Sequence, residues 1–86
     1  MRKILFTPIV FEQYNEWQTE NRQVFKKLQK LIKETAKSLL EGTGKPEALK
    51  HDYAGCWSRR ITDEHRLVYK VDVELIEIIA CKFHYK

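Results

Sequence analysis

The chain has 86 residues, of which 43% are apolar and 33% are charged, and its formal net charge is +4 at pH 7. This composition suits one small domain, residues 1–86, with a single hydrophobic core, and it excludes wholesale disorder. The apolar runs are too short to span a membrane, and the N-terminal residues do not resemble a signal peptide. We therefore expect a cytoplasmic protein with free thiols. The positive charge favours an acidic partner such as nucleic acid or an acidic protein.

The first half of the chain predicts a strand followed by two helices. Residues 3–6 form a short apolar run typical of a strand. Thr7 can cap a helix that Pro8 begins and that extends to about Glu20. Asn21 can cap a second helix, with Gly42 as a suitable stop. Its apolar stripe, at a spacing of 3.6, comprises Val24, Leu28, Leu31, Ile32, Thr35 and Leu39.

The second half of the chain predicts short strands joined by turns. A short edge strand is expected within 48–51, and longer strands at 56–62, 66–71 and 75–83. The order β-α-α-β-β-β(-β) predicts an α+β fold, in which two N-terminal helices pack on one face of a twisted, mainly antiparallel sheet.

Strict alternation along these strands predicts which side chains face away from the helices. The basic residues of that face are Arg60, Arg66, Lys82 and His84. Leu67, Tyr69 and Val71 form a core row, whereas Ile76, Ile78 and Ala80 share the face of Lys82. A bulge of one residue would reverse any of these assignments.

Ionisable residues that could cleave RNA without a metal are scattered through the second half. They are Glu47, Lys50, Arg59, Arg60, Arg66 and His84. Ordinary pKa values of about 4.3 for Glu and 6.5 for His would leave Glu47 ionised and His84 partly protonated near neutrality, which suits a base and an acid. Cations could hold a phosphate and its transition-state charge. The same residues also suit a solvated sheet face that keeps the domain soluble, so composition leaves both interpretations open.

Two further patterns have a functional and a structural interpretation. Lys26, Lys30, Lys33 and Lys37 form a basic stripe on the second helix, which could follow a phosphate backbone or be the wet face of an amphipathic helix. Cys81 and His84 form a single closely spaced pair, whereas zinc sites usually have two such pairs. We therefore expect no metal site, and small apolar roles in predicted strands for Cys56 and Cys81.

Four segments together resemble a known protein family. The segments GKPEALKH, WSRRI, TDEHRLVYKV and CKFHY are similar to those of the YoeB (Txe-like) toxins, which are ribosome-dependent messenger-RNA endonucleases of the RelE superfamily from bacterial type II toxin–antitoxin systems. The resemblance extends from about residue 2 to residue 85. It implies an N-terminal strand, two helices and a curved antiparallel sheet.

The resemblance also implies a role for each matched residue. Glu47 would be the general base, His84 the general acid, and Arg66 would stabilise the scissile phosphate. Lys50 and Arg60 would assist with its charge, and Tyr85 would orient the substrate. The product end would be a 2′,3′-cyclic phosphate, with no metal or cofactor. A YefM-like antitoxin would wrap the toxin with its C-terminal segment, and the toxin would act in the ribosomal A site. The sequence leaves open whether the toxin is a monomer or a homodimer.

Two departures and one alternative accompany this resemblance. Family chains commonly end at the His-Tyr pair, whereas this chain continues to Lys86, and Cys56 stands where an aromatic residue is common. The alternative is a non-catalytic basic module that binds RNA or protein and blocks translation by occupancy.

Overall fold

The computed structural model describes residues 1–39 and 41–84, the last two of them through their backbone only. In chain order the elements are β1 (Lys3–Phe6), α1 (Pro8–Glu20), α2 (Arg22–Lys37), β2 (Glu47–Ala48), a 3₁₀ turn (His51–Tyr53), β3 (Cys56–Arg60), β4 (His65–Val71) and β5 (Leu75–His84). Within these residues, no helix is both long and apolar enough to cross a membrane.

Both helices begin at the predicted caps. The Thr7 hydroxyl accepts a hydrogen bond from the N–H of Val10 at 3.4 Å, and Pro8 occupies the first turn. The Asn21 side chain accepts from the N–H groups of Gln23 and Val24, both at 3.2 Å. These bonds satisfy donors that a helix N-terminus leaves without intrahelical partners.

The predicted end of α2 is wrong, because the helix ends at Lys37 rather than near Gly42. Beyond it, the backbone carbonyls of Ser38 and Glu41 accept hydrogen bonds from the Arg59 side chain of β3. Hydrogen bonds from Arg59, which is distant in sequence, therefore stabilise the non-helical backbone that precedes Gly42. The edge strand predicted within 48–51 is also shorter in the structure. β2 comprises only Glu47–Ala48, and the chain enters the 3₁₀ turn at His51.

The sheet has the order β1-β5-β4-β3-β2. β1 runs parallel to β5, from Lys3 opposite Leu75 to Phe6 opposite Ile78, and every other neighbouring pair is antiparallel. The two helices pack against this sheet and bury one core, so the predicted fold class is confirmed. The core residues are Val10, Trp17, Leu28, Leu31, Ile32, Ala36, Ile61, Leu67, Tyr69, Ile76, Ile78 and Cys81.

The alternation predicted for β4 is confirmed, and that predicted for β5 is wrong. Leu67 lies in the helix-facing core, as predicted, so Arg66 lies on the other face. In β5, however, Ile76, Ile78 and Cys81 all lie in that core, which a period of two does not allow. The pairing of β4 with β5 shifts register at two places, between Arg66 and Tyr69 of β4. Extra residues in β5 thus reverse its faces along the strand.

Lys82 illustrates the consequence. Its Nζ lies 2.8 Å from Glu20 Oε1 and 3.4 Å from Glu16 Oε1, both on α1. The prediction that Lys82 belongs with Arg60 and Arg66 on the face away from the helices is therefore wrong. The hydrogen bond to Glu20 is the main reason why the pKa of Lys82 is raised.

Candidate active site

Glu47 and Arg66 come together on the sheet face opposite the helices. β2, β3 and β4 are neighbours, with Glu47 opposite Ser58, and Ser58 opposite Val68. This register places Glu47 Oε2 3.9 Å from Arg66 Nη1. The Glu47 side chain is 55% exposed and that of Arg66 is 16% exposed. An accessible carboxylate thus lies beside a guanidinium that is largely enclosed.

Ser58 holds the Arg66 guanidinium in place. It is fully buried, and its hydroxyl oxygen accepts a hydrogen bond of 3.1 Å from Arg66 Nη1. A planar guanidinium that is fixed in this way presents its N–H groups to phosphate oxygens as a rigid fork. Ser58 was not among the predicted site residues, although alternation along β3 places it on the same face as Arg60.

Two other predicted cations are exposed, on β3 and on the segment that follows β2. Arg60 is opposite Arg66 in the pairing of β3 with β4 and is exposed. Lys50 is exposed in the segment between β2 and the 3₁₀ turn. Close positive charges favour binding of an anion such as a phosphodiester.

The backbone of His84 reaches the same region at the end of β5. His84 pairs with His65, and Phe83 pairs with Arg66. His84, the general acid implied by the resemblance, is therefore the residue immediately after the one that lies opposite Arg66. The side chain of His84, and Tyr85 altogether, lie outside the described residues.

The lysine stripe is a separate surface. Lys26, Lys30, Lys33 and Lys37 are exposed on α2 and line a shallow groove with Gln29 and Glu34. Because α2 covers the helix-facing side of the sheet, the stripe does not adjoin Glu47 and Arg66. Its role in binding stays a prediction.

Arg59 has a different environment from that of its neighbour Arg60. It is fully buried, and its Nε lies 3.4 Å from the Tyr69 hydroxyl, which in turn donates to the Leu39 carbonyl at 2.8 Å. Burial raises the pKa of Tyr69, although the Arg59 charge opposes this. The sequence analysis placed Arg59 among the candidate phosphate-binding cations, and its complete burial excludes that role.

Both cysteines are free thiols, as predicted. Cys81 is fully buried, and burial raises the pKa of its thiol from near 9 to about 12. Cys56 is half-buried. Cys81 therefore has the small apolar role that its place in a strand predicted.

Comparison with known proteins supplies the context for this geometry. Residues 6–85 match the family model of the YoeB-like toxin of bacterial type II toxin–antitoxin systems. Toxin YoeB of Escherichia coli K12 is 46% identical over 83 residues, which are 96% of this chain and 99% of the relative. Two solved structures from Staphylococcus aureus have similar folds. A YoeB–YefM complex aligns at a TM-score of 0.87, with 46% identity and 99% coverage of both chains. A YoeB dimer aligns at 0.88, with 46% identity and 98% coverage of both chains.

Proposed function

We propose that this chain, which belongs to the YoeB-like toxin family of bacterial type II toxin–antitoxin systems, is an endoribonuclease that cleaves messenger RNA in the ribosomal A site. The observation that carries this proposal is the pairing of Glu47 with Arg66, 3.9 Å apart on an open sheet face. A base beside a fixed cation is what attack of a ribose hydroxyl on a phosphate requires.

The proposed reaction is a transfer within the RNA. Glu47 takes the proton of the 2′-hydroxyl, whose oxygen attacks the adjacent phosphorus. Arg66 stabilises the charge that grows on the phosphoryl oxygens, assisted by Lys50 and Arg60. His84 gives a proton to the 5′-oxygen as the bond from phosphorus to that oxygen breaks. One fragment ends in a 2′,3′-cyclic phosphate and the other in a free 5′-hydroxyl, and the scheme uses no metal.

The exposure of Glu47 explains why the ribosome belongs in this proposal. A carboxylate that is 55% exposed is solvated by water until RNA covers it. Effective catalysis needs the 2′-hydroxyl, the phosphorus and the leaving oxygen to be aligned. The A site would impose that alignment on the message, with Tyr85 orienting the nucleotide. We therefore expect weak cleavage of isolated RNA.

The proposed partner is a YefM-like antitoxin. It would wrap the toxin with its C-terminal segment and hold it inactive in the cytoplasm. The Staphylococcus aureus relative is solved in complex with YefM, which supports a partner of this type. The YoeB dimer from the same organism supports a homodimer of this chain.

A non-catalytic function is the second candidate, favoured by the groove lined by the four lysines of α2. Such a module would grip ribosomal RNA or an acidic protein and arrest translation by occupancy. The message would then stay intact. This outcome separates the two candidates.

The decisive experiment is single-turnover cleavage on ribosomes programmed with a defined codon, with the 5′ ends of the message mapped. The wild type should cut at one position, whereas His84→Ala and Glu47→Gln should bind normally and cut slowly. Glu12→Gln, which changes an exposed carboxylate on α1, is the matched control and should cut at the wild-type rate. Equal translation arrest by the wild type and His84→Ala, with intact message, would establish the occupancy mechanism instead.

A further inference from the structure

The C-terminal end of β5 extends past its neighbour β1. The pairing of β1 with β5 ends at Phe6 opposite Ile78, so another partner must satisfy the edge of β5 beyond that point. Gln13 of α1 supplies it. Its Oε1 accepts hydrogen bonds from the backbone N–H of Cys81 at 3.1 Å and from that of Lys82 at 3.3 Å.

Two consecutive N–H groups that point to one oxygen indicate a local distortion. In a regular strand, successive N–H groups point to opposite edges, and a bulge is the usual way to turn both to one side. The distortion lies where the core-facing residues change from Ile78 to Cys81. Gln13 therefore binds the bulged part of β5, where β1 no longer runs beside the strand.

Trp17 holds the same peptide from the helix side. Its Nε1 donates a buried hydrogen bond of 2.9 Å to the carbonyl of Cys81. Its ring also makes a T-shaped contact with the ring of His65, with centroids 5.0 Å apart and planes at 80°. His65 is the residue that pairs with His84 across β4 and β5. Trp17 thus contacts both β4 and β5, just before β5 ends.

The ion pairs of Lys82 contribute less to this arrangement. Lys82 Nζ reaches Glu16 and Glu20 and lies 5.1 Å from the centre of the Trp17 ring. The two carboxylates are more than half exposed, and exposed ion pairs contribute little. The directional bonds of Gln13 and Trp17 to the backbone are the stronger constraint.

We propose that Gln13 and Trp17 are positioning residues for His84, fixing the backbone from which the general acid projects. This inference rests on the proposed function. Strand ends fray unless they are tied down, and His84 lies two residues beyond the last N–H that Gln13 binds. Neither residue touches the reacting atoms. They act by keeping the end of β5 in register beside Arg66, so that acid and phosphate meet correctly.

Removal of the Gln13 oxygen tests this role. Gln13→Met keeps the length of the side chain but removes the acceptor, and the single-turnover rate on saturated ribosomes should fall about tenfold to a hundredfold, as expected for a displaced catalytic group. Ribosome affinity should change less than about twofold. Gln13→Glu keeps an accepting oxygen and should restore most of the rate. Gln18→Met, on an exposed position of the same helix, is the control and should be unaffected.

A double-mutant comparison separates positioning from general damage to the fold. If Gln13 acts through His84, adding Gln13→Met to His84→Ala should slow cleavage no further. An equal reduction of the rate in both backgrounds would overturn the inference, and so would a wild-type rate for Gln13→Met. Trp17→Phe, which keeps an aromatic ring and deletes the bond to the Cys81 carbonyl, should show the same dependence on His84. A wild-type rate for His84→Ala would overturn the proposed function and the positioning role with it.

Discussion

The buried guanidinium of Arg59 should be among the largest single contributions to stability. It is fully buried, and its nitrogens donate to three backbone carbonyls between α2 and β2 as well as lying near the Tyr69 hydroxyl. The acceptors are Thr43 at 3.3 Å, Glu41 at 2.8 Å and Ser38. One side chain thereby holds the segment that leads to Glu47.

Arg59→Met removes these donors and keeps an unbranched apolar stem. A hydrogen bond to a charged group contributes about 1.5–3 kcal/mol. The three carbonyls lie in a partly exposed segment, so water will replace part of the hydrogen bonding that the guanidinium provides. We therefore expect the free energy of unfolding to fall by about 3 kcal/mol, which is less than the roughly 4.5–9 kcal/mol that three such bonds would contribute without replacement by water. For a domain of this size, that corresponds to a drop in Tm of about 12–24 °C.

Urea unfolding followed by tryptophan fluorescence measures this change. Both proteins should carry His84→Ala, so that toxicity does not prevent expression. Arg60→Met is the matched control, because Arg60 is the exposed neighbour on the same strand, and its effect should stay within about 0.5 kcal/mol. A decrease below about 1 kcal/mol for Arg59→Met would refute the reasoning, since water would then serve the three carbonyls as well as the guanidinium does.

Three further predictions concern the site, the lysines of α2 and the buried thiol. Arg66→Ala should slow single-turnover cleavage on ribosomes about a hundredfold or more, and Arg66→Lys should recover little of it, because an ammonium lacks the planar fork; full recovery would mean that charge alone suffices. Neutralising the four lysines of the basic stripe should weaken ribosome binding and leave the cleavage step unchanged. The slope of log affinity against log salt concentration should become shallower by about one for each phosphate that is no longer neutralised. Lys27→Gln, elsewhere on α2, is the control, and an unaltered slope would identify the stripe as an ordinary solvated helix face. Because burial raises the pKa of Cys81 to about 12, its contribution to stability is complete below pH 9 and disappears as the pH rises towards 12, so the free energy of unfolding measured by urea should fall from pH 8 to pH 10. Cys81→Ala should remove part of that fall and Cys56→Ala should not; equal slopes in both variants would contradict the assignment.

Much of the local structure is specified by short stretches of sequence. The helices begin at the caps Thr7, which Pro8 follows, and Asn21. Each cap accepts hydrogen bonds only from N–H groups within three residues of itself. The apolar stripe of α2 likewise specifies its buried face. Such features depend on neighbours along the chain, so a single sequence predicts them well.

The faces of β5 and the end of α2 depend instead on residues that are distant in the chain. The bulge in β5 is stabilised by Gln13, which is 68 residues distant from Cys81 in sequence. The end of α2 depends on Arg59, 21 residues beyond Ser38. Alternation and helix-stop rules contain no information about such distant partners, so they predicted the wrong face for Lys82 and the wrong end for the helix.

In the candidate site, too, the sequence specifies the residue types, whereas the tertiary structure specifies which of them are close together. The residue types at Glu47, Arg66 and His84 are compatible with acid–base chemistry on a phosphate and with a solvated sheet face, and the resemblance to the YoeB toxins favoured the first interpretation. The proximity of Glu47 to Arg66 depends on the antiparallel register of β2, β3 and β4, which sets the carboxylate of Glu47 beside Arg66 and the buried hydroxyl of Ser58 beneath it. The amino-acid sequence alone therefore specifies the chemistry that these side chains can perform. The packed sheet specifies which of them meet, because hydrogen-bonded register joins residues that the chain keeps apart.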